Sequence, residues 1–290
     1  MTQRMPCLID PNDPRAPTQE RWDALSPEER VRVVNTLPIV VPIELFMPEG
    51  DRHRKAKGRA IDALGGFFQR IGRRVYVSSE MNVYYPGQPR FCPDVFAVTD
   101  VDPHERDKWA VSQEGKGLDV VIEVHVAGEF KKDFEANRKR YAALGIREYF
   151  LFDRTRGRLY GWRLPTANSR VYEAMMPQGG LFRSEVLDVE IAMADDRLRF
   201  YYGSAPLPES EDLIAKLESM VGTLVAKRQD EEQELEVERR ERERAEQQRM
   251  NAEQQRMDAE QQRADAEQQR DAALERVAAL EAELARLRGG

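Results

Sequence analysis

The sequence predicts a mixed α+β domain, with one sheet and helices beside it, followed by a long helix. Three observations carry this prediction. Between residues 51 and 202, runs of β-branched and aromatic residues alternate with segments of helical period. No proline follows Pro208, and no glycine lies between Gly222 and Gly289. Charge divides at the same place: from Glu209 onward there are 22 acidic and 14 basic residues, against 30 and 31 in residues 1–208. The acidity belongs to the tail, and a near-neutral body precedes it. We therefore divide the chain into an N-terminal lead-in and short helix (1–37), a central domain (38–208) and a helical tail (209–290).

The first 20 residues hold Pro6, Pro11, Pro14 and Pro17 and no apolar period, which predicts irregular structure. Ser26-Pro27-Glu28-Glu29 is a helix start, because serine can cap, proline suits the first helical position and Glu29 completes a capping box. That helix should end near Leu37-Pro38. A second helix is expected from Asp51 to about Ile71, where Ile61, Leu64 and Phe68 share a face and Arg52, Arg54, Lys55, Lys57 and Arg59 crowd the first half. Strands are expected at 74–77, 81–85, 94–99 and, most strongly, 118–126, whose LDVVIEVHV is rich in β-branched residues. Phe134, Arg138, Tyr141 and Leu144 then mark a helix stopped by Gly145. Residues 148–153 and 158–164 should pair across a Thr-Arg-Gly turn, and 171–202 continue as short β segments.

In the tail, Ala-Glu-Gln-Gln-Arg recurs at Ala245, Ala252, Ala259 and Ala266, a period of seven. One heptad column reads Leu217, Leu224, Glu231, Glu238, five alanines, Leu280, Leu287. Its partner column reads Ile214, Val221, Arg228, Leu235, five arginines, Val277, Leu284. Apolar seams at both ends with alanine against arginine between them predict a coiled coil that associates through its ends, as a homo-oligomer or with a partner helix; the alternative is a solvated single helix held up by local Glu–Arg pairs.

Composition excludes several classes. A hydrophobic fraction of 41% with 8% aromatics supports one sizeable core but not 290 compactly folded residues. No part is basic enough for nucleic-acid binding by bulk charge alone. No run of 18 apolar residues occurs, so no membrane span is expected. Cys7 and Cys92 cannot make a disulfide framework, and residues 1–11 lack the apolar stretch of a secretion signal, so a cytoplasmic location is expected. No Walker loop, nucleophile elbow, zinc motif or dinucleotide fingerprint is present.

The residues able to carry chemistry lie in the β region. Asp94 follows Pro93 and opens an apolar strand. Glu123 sits inside LDVVIEVHV, and His125, two residues on, shares its face. A carboxylate in so apolar a strand is costly unless it is paired, hydrogen-bonded or bound to a cation. On adjacent strands, Asp94 and Glu123 could hold one hard cation, because Mg²⁺ is commonly bound by one or two carboxylates with water and substrate phosphate completing the octahedron. A structural ion pair is the alternative for Glu123. His125 could orient a water or bind metal, or be a satisfied sheet-face histidine. Glu80 could be an additional acidic ligand or a loop ion pair. The basic cluster at Arg52–Arg59 could meet phosphates or be a solvated helix face.

Cys92-Pro93-Asp94-Val95, then Leu118-Asp-Val-Val-Ile-Glu123-Val, then Asp133 and Tyr141-Ala-Ala-Leu-Gly-Ile-Arg-Glu-Tyr-Phe-Leu-Phe-Asp153 resemble the Uma-type restriction endonuclease family of the PD-(D/E)xK nuclease superfamily, over roughly residues 38–205. The resemblance implies a restriction-endonuclease-like sheet flanked by helices and cleavage of DNA phosphodiesters dependent on Mg²⁺ (or Mn²⁺). Asp94 and Glu123 would then be the metal-binding carboxylates. The family's lysine, expected four residues after the aspartate at Asp133, is replaced by Asn137. Lys132, at the helix start on a long stem, is the substitute we expect to supply positive charge; Lys139, about 200° around the helix from Asn137, should face away. His53 also resembles a histidine seen in the family, with a surface role as its alternative. The rival expectation is a catalytically degenerate interaction protein whose tail recruits partners.

Overall fold

The structure is a computed structural model that describes residues 9–10, 12–40, 50–128 and 130–288. The expectations for the first eight residues, Cys7 among them, lie outside these.

A short helix, α1 (Gln19–Asp23), opens inside the segment expected to be irregular, with Thr18 accepting from the Arg21 N–H. Helix α2 (Pro27–Thr36) has the expected capping box: the Glu29 N–H donates to Ser26 Oγ at 3.2 Å, and the Ser26 N–H donates to Glu29 Oε2 at 2.8 Å. Helix α3 (Asp51–Arg70) buries Ala56, Lys57, Ala60, Ala63, Leu64, Phe67 and Phe68. The strands that follow are β1 (Val75–Ser78), β2 (Val83–Tyr84), β3 (Val95–Thr99), β4 (Trp109–Ala110) and, after the four-residue α4 (Val111–Glu114), β5 (Val120–His125). A π-helical turn, Lys132–Asn137, runs directly into α5 (Arg138–Ala143). Then come β6 (Glu148–Asp153), β7 (Arg158–Arg163), β8 (Glu173–Ala174), β9 (Phe182–Ser184), β10 (Val189–Ala194), β11 (Arg197–Tyr202), β12 (Ala205–Pro206) and α6 (Ser210–Arg288).

Two glycines act as expected. Gly145 ends α5 at φ 77°, and Gly157 closes the β6–β7 hairpin at φ 61°, both in the left-handed region that a β-carbon disfavours.

The expectation of one sheet is corrected: the described strands form three. The main sheet has six strands in the order β1-β3-β5-β6-β7-β8, a second has β12-β11-β10-β9, and β2 pairs with β4. In the main sheet only β5 and β6 run parallel, and the π turn and α5 make the crossover between them. Residues 182–206 close on themselves because Asp195 and Asp196, at φ 53° and 56°, form a tight left-handed turn that pairs β10 with β11. Apolar alternation fixes which face of a strand is buried, but not which edge it pairs with, and so it left this partition open.

Alternation on the main sheet separates two cores. Val95, Ala97, Val120, Ile122, Val124, Phe150 and Phe152 pack with α3 and with β9–β11. Phe96, Val98, Val121, Tyr149, Leu151 and Trp162 form an aromatic-rich layer with Tyr141 of α5. At about 1.5 Å per residue, α6 is about 120 Å long. Residues up to Ile214 form one compact unit and those from Ala215 another. Among the described residues no helix is long and apolar enough to cross a membrane.

Candidate active site

Strand register brings the two expected carboxylates together. Val95 of β3 faces Ile122 of β5 in antiparallel pairing, so Asp94, just before β3, falls opposite Glu123. The Asp94 N–H donates to Glu123 Oε2 at 3.3 Å, and the Val124 N–H donates to Asp94 Oδ2 at 2.8 Å. Glu123 points to the aromatic layer, where Tyr141 of α5 donates its hydroxyl to Oε1 at 2.5 Å. From α3, His53 Nε2 lies 3.0 Å from Asp94 Oδ2; with a carboxylate as the acceptor, Nε2 carries the hydrogen.

The surroundings drive the two carboxyls apart. Burial raises Asp94, but the hydrogen bond and charge of His53 and the Val124 N–H outweigh it and hold the group below the usual range. Burial pushes Glu123 well above the usual range, and the neighbouring Asp94 charge pushes it further. The two carboxyls are therefore pushed in opposite directions at one place in the sheet. Cys92 feels the same concentration of negative charge. Its thiol is pushed up to about 12, by burial first, although the residue as a whole is exposed, and then by Glu80, Glu123 and Asp94, with Lys57 acting the other way.

Lys57 lies one turn beyond His53 on α3 and is 3% exposed. Its ammonium is paired with Glu80, whose own N–H donates to the Pro93 carbonyl at 3.0 Å. Glu80 sits at φ 50°, a left-handed conformation uncommon for a glutamate. On the other side of Glu123, His125 Nδ1 is 3.0 Å from Asp133 Oδ2 and its ring meets Phe130 edge-on. Asn137 donates to the other Asp133 oxygen at 3.2 Å. Lys132 begins the π turn and is exposed.

Two oxygen-donor carboxyls that meet across β3 and β5 suit a hard divalent cation, whose charge would offset theirs. Among the described residues no three His, Cys, Asp or Glu side chains gather at metal-binding distance, and Glu80 is engaged with Lys57.

A family profile described as "Uma2: Putative restriction endonuclease" matches residues 41–194. The chain belongs to this Uma2 family. Among solved structures, "a putative nuclease belonging to DUF820" from Anabaena variabilis is similar at 12% identity, covering 52% of this chain and 82% of that one, with a TM-score of 0.41. No curated protein matches this chain.

In this Uma2 domain the basic start of α3 is divided: Arg52, Arg54 and Lys55 are exposed, as a solvated face requires, whereas Lys57 is buried and Arg59 half-buried. Arg52 pairs with Asp196, Arg54 with Asp51, Lys57 with Glu80, and Arg59 with Glu209 and Glu211. His53 is engaged with Asp94, not with solvent. Three residues around Asp94 and Glu123 thus escaped the sequence reading: His53 in its contact with Asp94, Lys57, and Tyr141 in its bond to Glu123. A signal for the first two was present. The apolar row Ile61-Leu64-Phe68, carried back by i−4 steps, reaches Lys57 and then His53.

Proposed function

We propose that this chain is a nuclease dependent on a divalent metal, Mg²⁺ or Mn²⁺, that hydrolyses DNA phosphodiester bonds, with Asp94 and Glu123 as the metal ligands. One observation carries this reading: the two carboxyls meet across β3 and β5 in a buried setting that favours a compensating cation. When bound, the metal would polarise a phosphate oxygen and lower the pKa of a coordinated water.

The remaining roles belong to the chain's own groups. His53 and the Val124 N–H hold Asp94 ionised and fix its Oδ2 in place. Tyr141 fixes Oε1 of Glu123. Positive charge for the phosphate is assigned to Lys57 in preference to Lys132. Lys57 is buried and held by Glu80 next to Pro93-Asp94, whereas Lys132 is exposed and would have to order a long side chain first. His125, bound to Asp133, positions the π turn beside Glu123. The rival, a catalytically degenerate interaction protein, draws its support from Asn137, which is neutral and engaged with Asp133.

Supercoiled plasmid incubated with the full chain and Mg²⁺ or Mn²⁺ tests the proposal. Metal-dependent nicking is expected, abolished in Asp94→Ala and Glu123→Ala and strongly reduced in Lys57→Gln. Lys132→Gln should retain activity, and its loss there would return the charge role to Lys132. No cleavage with either ion, together with equal metal binding by wild type and both alanine variants, favours the rival.

A further inference from the structure

Every described side chain of α6 is exposed, including Leu217, Leu224, Leu280 and Leu284 at 51–64%. The first turn of the helix pairs with the body through Glu211–Arg59 and Asp212–Arg199; beyond it, the pairs among the described residues are local, such as Arg228–Glu232, Glu236–Arg240 and Glu238–Arg242, each of which contributes a few tenths of a kcal/mol. Two apolar seams therefore stand uncovered, one near each end, joined by a charged heptad stretch.

The occupant can be deduced from the charge pattern. A second copy in parallel, in register, would set each core arginine (Arg228, Arg242, Arg249, Arg256, Arg263 and Arg270) against its own counterpart. It would also set Glu231 against Glu231 and Glu238 against Glu238. Like charges facing each other across a helix pair are unfavourable at every such layer.

Reversing the second helix removes all of these clashes. Antiparallel pairing sets one heptad column against the other. In the register that places Leu217 against Leu284, Val221 against Leu280 and Leu224 against Val277, both apolar seams are covered. The same register places Glu231 against Arg270 and Glu238 against Arg263. Arg228, Arg242 and Arg249 then face Ala273, Ala259 and Ala252, small residues beside which a long stem can lie while its guanidinium reaches water. No core layer sets like charge against like. A slip of one heptad in either direction puts Leu224 against Arg270 or Arg228 against Leu280, so the pattern selects one register. Glutamates at the rim, such as Glu246 and Glu253, are solvent-screened and weigh little against the core layers.

We propose that α6 pairs antiparallel with α6 of a second copy of this chain, in the register that sets Leu217 against Leu284.

Engineered cysteines in the full chain, with Cys7→Ser and Cys92→Ser as background, test this. Leu217→Cys alone should not cross-link on oxidation, because antiparallel pairing keeps the two thiols about 100 Å apart. Leu217→Cys unfolded and refolded together with Leu284→Cys should give a disulfide-linked dimer. A second measurement reads the charge layers. Glu231→Arg with Glu238→Arg should weaken dimerisation about tenfold or more in sedimentation, and adding Arg263→Glu and Arg270→Glu should restore it. The proposal is overturned by cross-linking of Leu217→Cys alone, by a dimer in which the mixed pair fails to cross-link, by a wild-type monomer at the highest soluble concentration, or by charge reversal that is not rescued.

Discussion

Glu123→Gln should stabilise the metal-free protein, although it replaces a fully hydrogen-bonded buried residue. The substitution keeps the shape of the side chain and removes one negative charge from the pair. Oε1 can still accept from Tyr141, and the amide can donate to Asp94 where two carboxyls now meet. The loss is the acceptor for the Asp94 N–H, a 3.3 Å bond worth about 0.5–1 kcal/mol. The gain is relief of like-charge repulsion, at most about 4 kcal/mol, the general figure for two full unit charges in close contact at an effective dielectric of about 20. Part of that repulsion is already relieved because Glu123 keeps its proton to a higher pH than a free carboxyl, which leaves a net stabilisation of about 2 kcal/mol. For a unit of this size that is a rise in Tm of about 4–8 °C in EDTA at pH 8. Mg²⁺ should then raise the Tm of wild type and leave that of the variant unchanged. A variant less stable than wild type in EDTA, or one that keeps the metal-induced rise, would refute both the charge argument and the ligand assignment.

Two further outcomes test the fold. Asp153, fully buried at the end of β6, is raised by burial, but Thr155 and Arg156 donate to it through backbone and side chains and hold it below its usual 3.8. Because its folded pKa is depressed, the stability it contributes is present above pH 3.8 and is lost as the pH falls through the folded value; urea titration of Asp153→Ala should show a deficit of about 2–3 kcal/mol at pH 7 that shrinks in acid. Gly161 on β7 has no room for a methyl, since a β-carbon would lie 2.9 Å from both Met175 Sδ and Phe182 Cδ1, so Gly161→Ala should lower the midpoint by about 1–3 kcal/mol in the same assay.

Legibility in the sequence followed how local each signal is. The capping box of α2, the stop at Gly145 and the hairpin at Gly157 depend on neighbours within four residues, and each was readable from those neighbours alone. β5 was legible because a fully buried strand must be apolar on both faces. The separate four-stranded sheet was not, because Phe182–Ser184 and Arg197–Tyr202 choose their partners by tertiary packing. α1 is too short for its period to show, and Thr18 was the only cap signal before it.

At the candidate site the same distinction decides what could be known. Asp94 and Glu123 announced themselves as charges in apolar company, and strand register did the rest, since adjacent antiparallel strands place matched positions side by side. His53 and Lys57 were hidden by their neighbours. A helix that begins Asp-Arg-His-Arg-Lys-Ala-Lys-Gly-Arg looks solvated throughout, and average polarity conceals that two of those polar residues continue the buried row. Burial of an ammonium at 3% exposure is unfavourable without a partner, and Glu80 provides one at the expense of an uncommon backbone conformation. If the pair served stability alone, replacing both members with apolar residues of similar size should be neutral or favourable. A lysine buried there, in a chain whose π turn carries Asn137 where the family resemblance calls for lysine, is what makes Lys57 the position on which the nuclease reading is most exposed to test.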